Sequence, residues 1–152
     1  VQVAGRAGRA GLPGRVLIQT RQPSHECLRA AAAQDFPAFY ASGRTERKDF
    51  GYPPFGRLAA LLFRSRDKAR AEASAERAAR ELEDRARGLS PPVQVLGPAP
   101  SPVLLVKGWW RYRLLLKSSS ARSLHQVLEA WCFAWKDRAV QLSVDVDPLS
   151  FL

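Results

Sequence analysis

Gly51-Tyr52-Pro53-Pro54-Phe55-Gly56 cannot lie inside a helix. Each proline lacks a backbone donor and pushes the residue before it out of the helical region. The segment therefore cuts the 152-residue chain into two parts, residues 1–49 and residues 50–152. The second part carries enough alternating and helical pattern to build a small domain by itself. The first part is shorter and begins in a Gly/Arg-rich stretch with no periodicity, Val1–Gly14.

In the second part, Arg57–Arg64 (RLAALLFR) reads as a strand. Asp67 is placed to cap a long helix running to about Arg87. Ala71, Ala75, Ala78, Leu82 and Ala86 line one face of it, and small residues there predict close packing on a sheet. Glu76 with Arg80 and Glu81 with Arg85 are expected as i,i+4 pairs on the solvent side. Gly88 and Pro91-Pro92 end the helix, and Val93–Leu96 is a second strand. Gly97–Pro102 reads as a turn-rich connector. Val103–Lys107 and Trp110–Lys117 read as strand segments joined near Gly108. Trp110, Tyr112, Leu114 and Leu116 share one face of the latter, and Arg111, Arg113 and Lys117 share the other with Leu115. Ser118–Ser120 offers caps for a second helix to about Lys136, with Leu124, Leu128, Trp131 and Trp135 as its apolar stripe. Gln141–Val146 is the last strand. The order is βαββαβ. The expected class is α+β, a ferredoxin-like domain with two helices on one face of an antiparallel sheet and the other face open.

The first part is predicted to hold a strand at Arg15–Thr20 (RVLIQT), stopped by Pro23. An Ala-rich helix is expected over His25–Gln34, and a second helical piece over Phe36–Asp49.

Charge narrows the partners. Lys and Arg number 24 against 14 Asp and Glu, a formal charge of +10. Arg6, Arg9, Arg15 and Arg21 precede the first acid, Glu26. A second acid-free run, Arg85–Leu128, holds seven cations: Arg85, Arg87, Lys107, Arg111, Arg113, Lys117 and Arg122. An uneven basic surface favours an anionic partner: nucleic acid, nucleotide or acidic peptide. No apolar run is long enough to span a membrane. Cys27 and Cys132 are too few for a disulfide framework or a zinc site, and a reducing interior fits them. They are expected as small buried hydrophobes. The chain starts at Val1 and contains no Met, as expected of a segment of something longer.

The opening Gln2-Val3-Ala4-Gly5-Arg6-Ala7-Gly8-Arg9 resembles the last conserved motif of superfamily 2 helicases, Q-x-x-G-R-x-G-R. Then come PGRVLIQT, FPAFY, ERKDF, GYPPFGRLA, VLGPAP, RYRLLLK and the closing VDVDPLSFL, in one order. Together they resemble the C-terminal end of the bacterial primosomal replication restart helicases, over essentially the whole chain. The resemblance implies that residues 1–49 are the tail of the second RecA-like helicase lobe. It also implies that residues 50–152 are a ribosomal S10-like domain that binds DNA and protein. The parent would be a 3′–5′ DNA helicase using ATP and Mg2+, with zinc held outside this segment. No cofactor is expected on the segment itself, which would not be catalytic alone. Implied partners are branched and single-stranded DNA, the single-stranded DNA-binding protein, and primosomal and helicase-loading proteins. The implied place is the bacterial cytoplasm, near the nucleoid.

Four groups of residues are candidates for chemistry. Two arginines three apart among glycines can bring planar, always-charged forks to a γ-phosphate, so Arg6 and Arg9 are candidate arginine fingers. Gln2 resembles the motif residue that positions water or phosphate, and Gly5 and Gly8 permit close backbone approach. The alternative is an Arg/Gly arm on DNA phosphates. Lys107, Trp109, Arg111 and Arg113 interleave cations with an aromatic as a nucleic-acid surface needs. The family usually shows G-R-Y-R-W here, so Trp109 replaces an arginine and Trp110 a tyrosine. Trp110 and Tyr112 are read as core. Arg122, His125 and Gln126 open the last helix, where the family seats the acidic tail of the single-stranded DNA-binding protein. A gapless reading places Ala121 and His125 at the family's arginine and glutamine positions, with Arg122 and Gln126 each one residue away. Asp145 and Asp147 share a strand face. They suit Mg2+ by spacing, but pairing with arginines or capping the strand end is the favoured reading. No metal role is expected for His25 or His125.

Two functional classes stay open. In one, the segment is a DNA-binding module with arginine fingers at its start. In the other, it braces the helicase core and docks the acidic tail.

Overall fold

The computed structural model describes residues 15–148. The elements are α1 (Glu26–Ala33), α2 (Phe36–Asp49), β1 (Arg57–Ser65), α3 (Lys68–Ala86), β2 (Val93–Val106), β3 (Trp109–Ser118), α4 (Ala121–Ala134) and β4 (Gln141–Val146). Two compact units divide between Glu46 and Arg47, in the last turn of α2. The candidate motif at Gln2, Gly5, Arg6, Gly8 and Arg9 lies outside the described residues.

In the first unit, α1 is capped by His25, whose Nδ1 accepts the Cys27 N–H at 3.3 Å. It stops at Gln34, which takes a left-handed conformation. Residues 15–20 form no strand. A strand needs a hydrogen-bonded neighbour, and none of the described residues supplies one; Leu17 is 87% exposed.

The second unit is α+β: one antiparallel sheet in the order β2-β3-β1-β4, with α3 and α4 on one face. That is the ferredoxin-like βαββαβ arrangement. β1 is central because RLAALLFR is apolar on both faces and can lie between two neighbours. Its register pairs Leu58 with Lys117, Leu61 with Leu114 and Phe63 with Tyr112. Ala59, Leu61 and Phe63 then face the helices with Tyr112, Leu114 and Leu116, all buried. Asp67 caps α3 by accepting the Arg70 N–H. Ala71, Ala75, Ala78, Ala79 and Leu82 press onto the sheet. Ser120 caps α4 through the Ser123 N–H, and Leu124, Val127, Leu128 and Trp131 close the core. Trp131 stacks near Phe63 and Trp135, and its Nε1–H donates to Glu81 at 2.8 Å.

Three expectations are corrected. The connector Gly97–Pro102 is part of one long strand, β2, with register shifts between Leu96 and Ala99 and between Pro100 and Leu105. Prolines are tolerated there because β2 is an edge strand and owes hydrogen bonds on only one side. Glu81 turns toward Trp131 and pairs loosely with Arg77 (3.9 Å), not with Arg85. A buried indole N–H needs an acceptor, and Glu81 is the group that α3 presents to it. Cys27 and Cys132 are exposed, because α1 buries nothing and Cys132 falls beside the apolar stripe of α4. Partial burial still pushes the Cys132 thiol up, away from reactive thiolate.

Candidate functional site

Two surfaces gather the sequence-predicted residues of the second unit. The first is the sheet face opposite α3 and α4. Alternation along β3 puts Trp109, Arg111, Arg113, Leu115 and Lys117 on it, opposite the buried Tyr112, Leu114 and Leu116. The pairings extend the face sideways. Arg111 lies across from Arg64, Arg113 from Leu62, and Leu115 from Ala60 on β1. Beyond them stand Gln141, Ser143 and Asp145 on β4. Lys117 is anchored at one end, where its Nζ donates to the Phe50 carbonyl at 3.0 Å. There the Phe50–Gly56 segment begins the domain, held by Arg47 Nη1 donating to the Pro53 carbonyl. Gly56 is required at its close, since a Cβ would collide with the Gly51 carbonyl.

At the other end is the β2–β3 turn, Lys107-Gly108, with φ of 49° and 77°. Both values lie in the left-handed region that a tight hairpin demands. Arg66, just past β1, reaches this turn. Its Nη1 donates to the Lys107 carbonyl at 2.8 Å, and its guanidinium lies 4.5 Å from the Trp109 ring centroid. A Cβ on Gly108 would strike that guanidinium. Lys68 stands 5.6 Å over Trp110, which packs against the core as read. So Lys107, Trp109, Arg111 and Arg113 come together on one surface. Arg64 and Arg66 join them, although sequence reasoning did not single them out. Neither carries a local signal: Arg64 ends an apolar run with no alternation, and the reach of Arg66 depends on the turn. The face thus presents cations, an aromatic and aliphatic side chains, which together can contact phosphates and bases.

The second surface is a groove of about 950 Å³ between α4 and the end of β4. Arg122, His125 and Gln126 sit exposed along one wall. Leu128, Phe133 and Val146 give the groove an apolar floor. Phe133 is 81% exposed, an unusual position for a phenyl ring. Arg57 guards one end. It bonds Asp147 at 2.6 Å, and the same carboxylate accepts the Leu58 N–H at 3.0 Å. Burial alone would raise Asp147, but the Leu58 N–H and the Arg57 guanidinium outweigh it and hold the carboxyl below the usual range. Asp147 therefore ties the strand end to an arginine, while Asp145 lies on the open face. His125 meets Glu129 at 3.4 Å. Arg57, Phe133 and Val146 were not predicted; only the fold brings them to Arg122.

Among the described residues no group of three or more His, Cys, Asp or Glu side chains gathers to hold a metal. No helix among them is long and apolar enough to cross a membrane.

This domain matches the family described as primosomal protein N C-terminal domain, over residues 48–149. The chain belongs to that family. It is also similar to three bacterial proteins named replication restart protein PriA. That of Bacillus subtilis is 31% identical over 97% of this chain and 18% of the relative. That of Chlamydia muridarum is 35% identical over 98% and 20%. That of Treponema pallidum is 37% identical over 100% and 23%. The chain thus spans about a fifth of the length of the curated relatives it matches. The similarity runs through the first unit as well as the family domain.

Proposed function

We propose that this chain is the C-terminal part of a replication restart helicase, and that its family domain holds DNA on the open sheet face. Lys107, Trp109, Arg111 and Arg113 are the contacting residues. The observation that carries this reading is the gathering of these four side chains, from a turn and one strand, onto the sheet face turned away from α3 and α4. The names of the relatives, all replication restart proteins, support the biological setting: recognition of a stalled or branched fork and assembly of a primosome.

Residues 1–49 are the tail of helicase lobe 2 in this proposal, and residues 50–152 the DNA- and protein-binding domain. Arg6 and Arg9 reach the γ-phosphate of ATP bound in the parent, with Gln2 beside it and Gly5 and Gly8 allowing the approach. ATP and Mg2+, like zinc, belong to the parent and not to the described residues.

A second reading concerns the groove. Arg122, His125 and Gln126 form its polar wall, and Arg57 stands at one end, paired with Asp147. An apolar floor with Arg122 at its rim suits a short acidic peptide, and the resemblance makes that the tail of the single-stranded DNA-binding protein. The two readings use different surfaces and are compatible.

Fluorescence anisotropy against labelled forked and single-stranded DNA, across a salt series, tests the first. Binding with a slope of several phosphates, weakened in a Trp109→Ala/Arg111→Ala variant, supports it. No binding at low salt leaves bracing and peptide docking as the work of this domain.

A further inference from the structure

Arg64 and Arg111 occupy directly opposed positions on β1 and β3. Like charges placed so are destabilising. The next residue in that row, on β4, is Gln141, which brings no charge. Among the described residues neither arginine belongs to a salt bridge, whereas Arg57, Arg70, Arg77 and Arg87 each do. Arg111 Nη1 reaches the Val103 carbonyl only at 3.5 Å, a distance too long to satisfy a guanidinium. Arg64 Nε is buried and has no hydrogen-bond partner at all. An unsatisfied buried donor is costly, and a charged one more so. Two independent penalties therefore fall on one spot of the sheet, and one anion would relieve both.

The surroundings narrow the anion. Leu62 lies in the next row of the open face, opposite Arg113, and the row beyond it holds Leu115 and Leu96, the latter 43% exposed. Trp109 stands two residues along β3, backed on one side by Arg66. A duplex keeps its base faces stacked and offers phosphates and groove edges. A single strand offers both phosphates and base faces, and a surface that alternates cations with apolar and aromatic side chains matches it.

We infer that Arg64 and Arg111 together seat one backbone phosphate of a single strand of nucleic acid, which runs along β3 toward Trp109. This rests on the DNA reading above and goes beyond it in the residue, the shared contact and the form of the strand. Two planar forks on adjacent strands converge on the phosphate oxygens. Arg64 turns its fork outward to the phosphate, which gives Nε the acceptor it lacks in the folded chain alone, and the repulsion between the two guanidiniums becomes a shared attraction.

The test uses the 152-residue chain and a labelled mixed-sequence single strand, its matched duplex and a salt series. The wild type is expected to prefer the single strand. Arg64→Gln lowers affinity roughly tenfold, the loss of a charged hydrogen bond. Arg64→Lys, which keeps the charge without the fork, recovers part of it. The Arg64→Gln/Arg111→Gln double variant binds more strongly than the product of the single losses requires, because both residues grip one phosphate. Its log–log salt slope is shallower by about 0.7. Without DNA, Arg64→Gln melts no lower than the wild type, since a repulsion has been removed.

Unchanged affinity in Arg64→Gln overturns the seat while leaving the DNA reading standing. Absence of wild-type binding at low salt removes the DNA reading itself. Multiplicative losses place the arginines on separate phosphates and overturn the shared contact. Tighter duplex binding overturns the single-strand assignment. Displacement of the strand by inorganic phosphate, beyond that by chloride at matched ionic strength, makes this a small-anion site instead. If Arg64→Gln melts lower, Arg111→Gln decides: a similar loss keeps the seat, and no loss overturns it.

Discussion

The two faces of one sheet treat charge in opposite ways. Toward the helices, Leu61, Phe63, Leu114 and Leu116 are wholly buried, and the charges that do approach are paired. Asp137 shows how. Burial would raise its carboxyl, but hydrogen bonds from Ser74 (2.8 Å), the Ala139 N–H (3.0 Å) and Arg77 (3.0 Å) outweigh that and hold it low. On the open face, one residue away along the same strands, Arg64 opposes Arg111 and lacks a partner for Nε. A sequence that pairs its charges so carefully on one side and leaves two arginines opposed on the other is under different demands on the two sides. One side is optimised for the folded chain alone, and the other for something the chain meets.

Adjacent substitutions should expose that asymmetry. Trp131→Ala is expected to cost about 3–5 kcal/mol in urea unfolding, because it empties the centre of the core and strands Glu81. Leu61→Ala should cost about 2–5 kcal/mol, and Leu62→Ala, its neighbour facing outward, distinctly less. Equal losses at 61 and 62 would mean that the open face is packed after all.

The next largest effect is electrostatic. Asp147→Asn should destabilise by about 1–3 kcal/mol, since the Arg57 and Leu58 donors lose a charged acceptor. Its pH dependence has a definite sign. The folded carboxyl sits below its ordinary value, so its contribution is fully present above the unfolded value near 4 and is lost as pH falls through the folded one. Asp137 acts in the same direction. Stability should therefore fall on acidification below about pH 5, and Asp147→Asn should flatten that limb. At the alkaline end, burial and the neighbouring Glu72 raise Tyr112. Its contribution is full below about pH 10 and disappears as pH climbs through the raised value.

The smallest effect on stability belongs to the surface most important for the proposed function. Trp109→Ala should change unfolding free energy by less than about 1 kcal/mol, yet weaken strand binding by about 1–3 kcal/mol through lost stacking. A large stability loss there would turn the Arg66–Trp109 pair into a hairpin brace.

Much of the fold was legible because β1 is an unbroken apolar run and α3 and α4 carry strong periodicity and clean caps at Asp67 and Ser120. The division of β3 into Tyr112, Leu114 and Leu116 against Arg111, Arg113 and Lys117 came from alternation alone. Strand β2 was misjudged at Gly97–Pro102, because proline signals a turn locally, while its tolerance on an edge depends on sheet order. The strand expected at Arg15–Thr20 failed for the complementary reason: apolar pattern proposes a strand, but only a neighbour makes one. Arg64 was hidden in a run read as simply apolar. The groove residues Arg57, Phe133 and Val146 come from three elements, β1, α4 and β4, and no local pattern joins them.

The central claim is the proposal that the open sheet face meets DNA. The most direct measurement is a two-dimensional amide and indole NMR titration of the chain with a short single strand. Signals of the Trp109 indole, Arg111, Arg113 and Arg64 are expected to move together, while those of Arg122, His125 and Phe133 along the α4 groove stay. Shifts confined to the α4 groove, with the open sheet face unmoved, would show that DNA is held elsewhere than on the sheet.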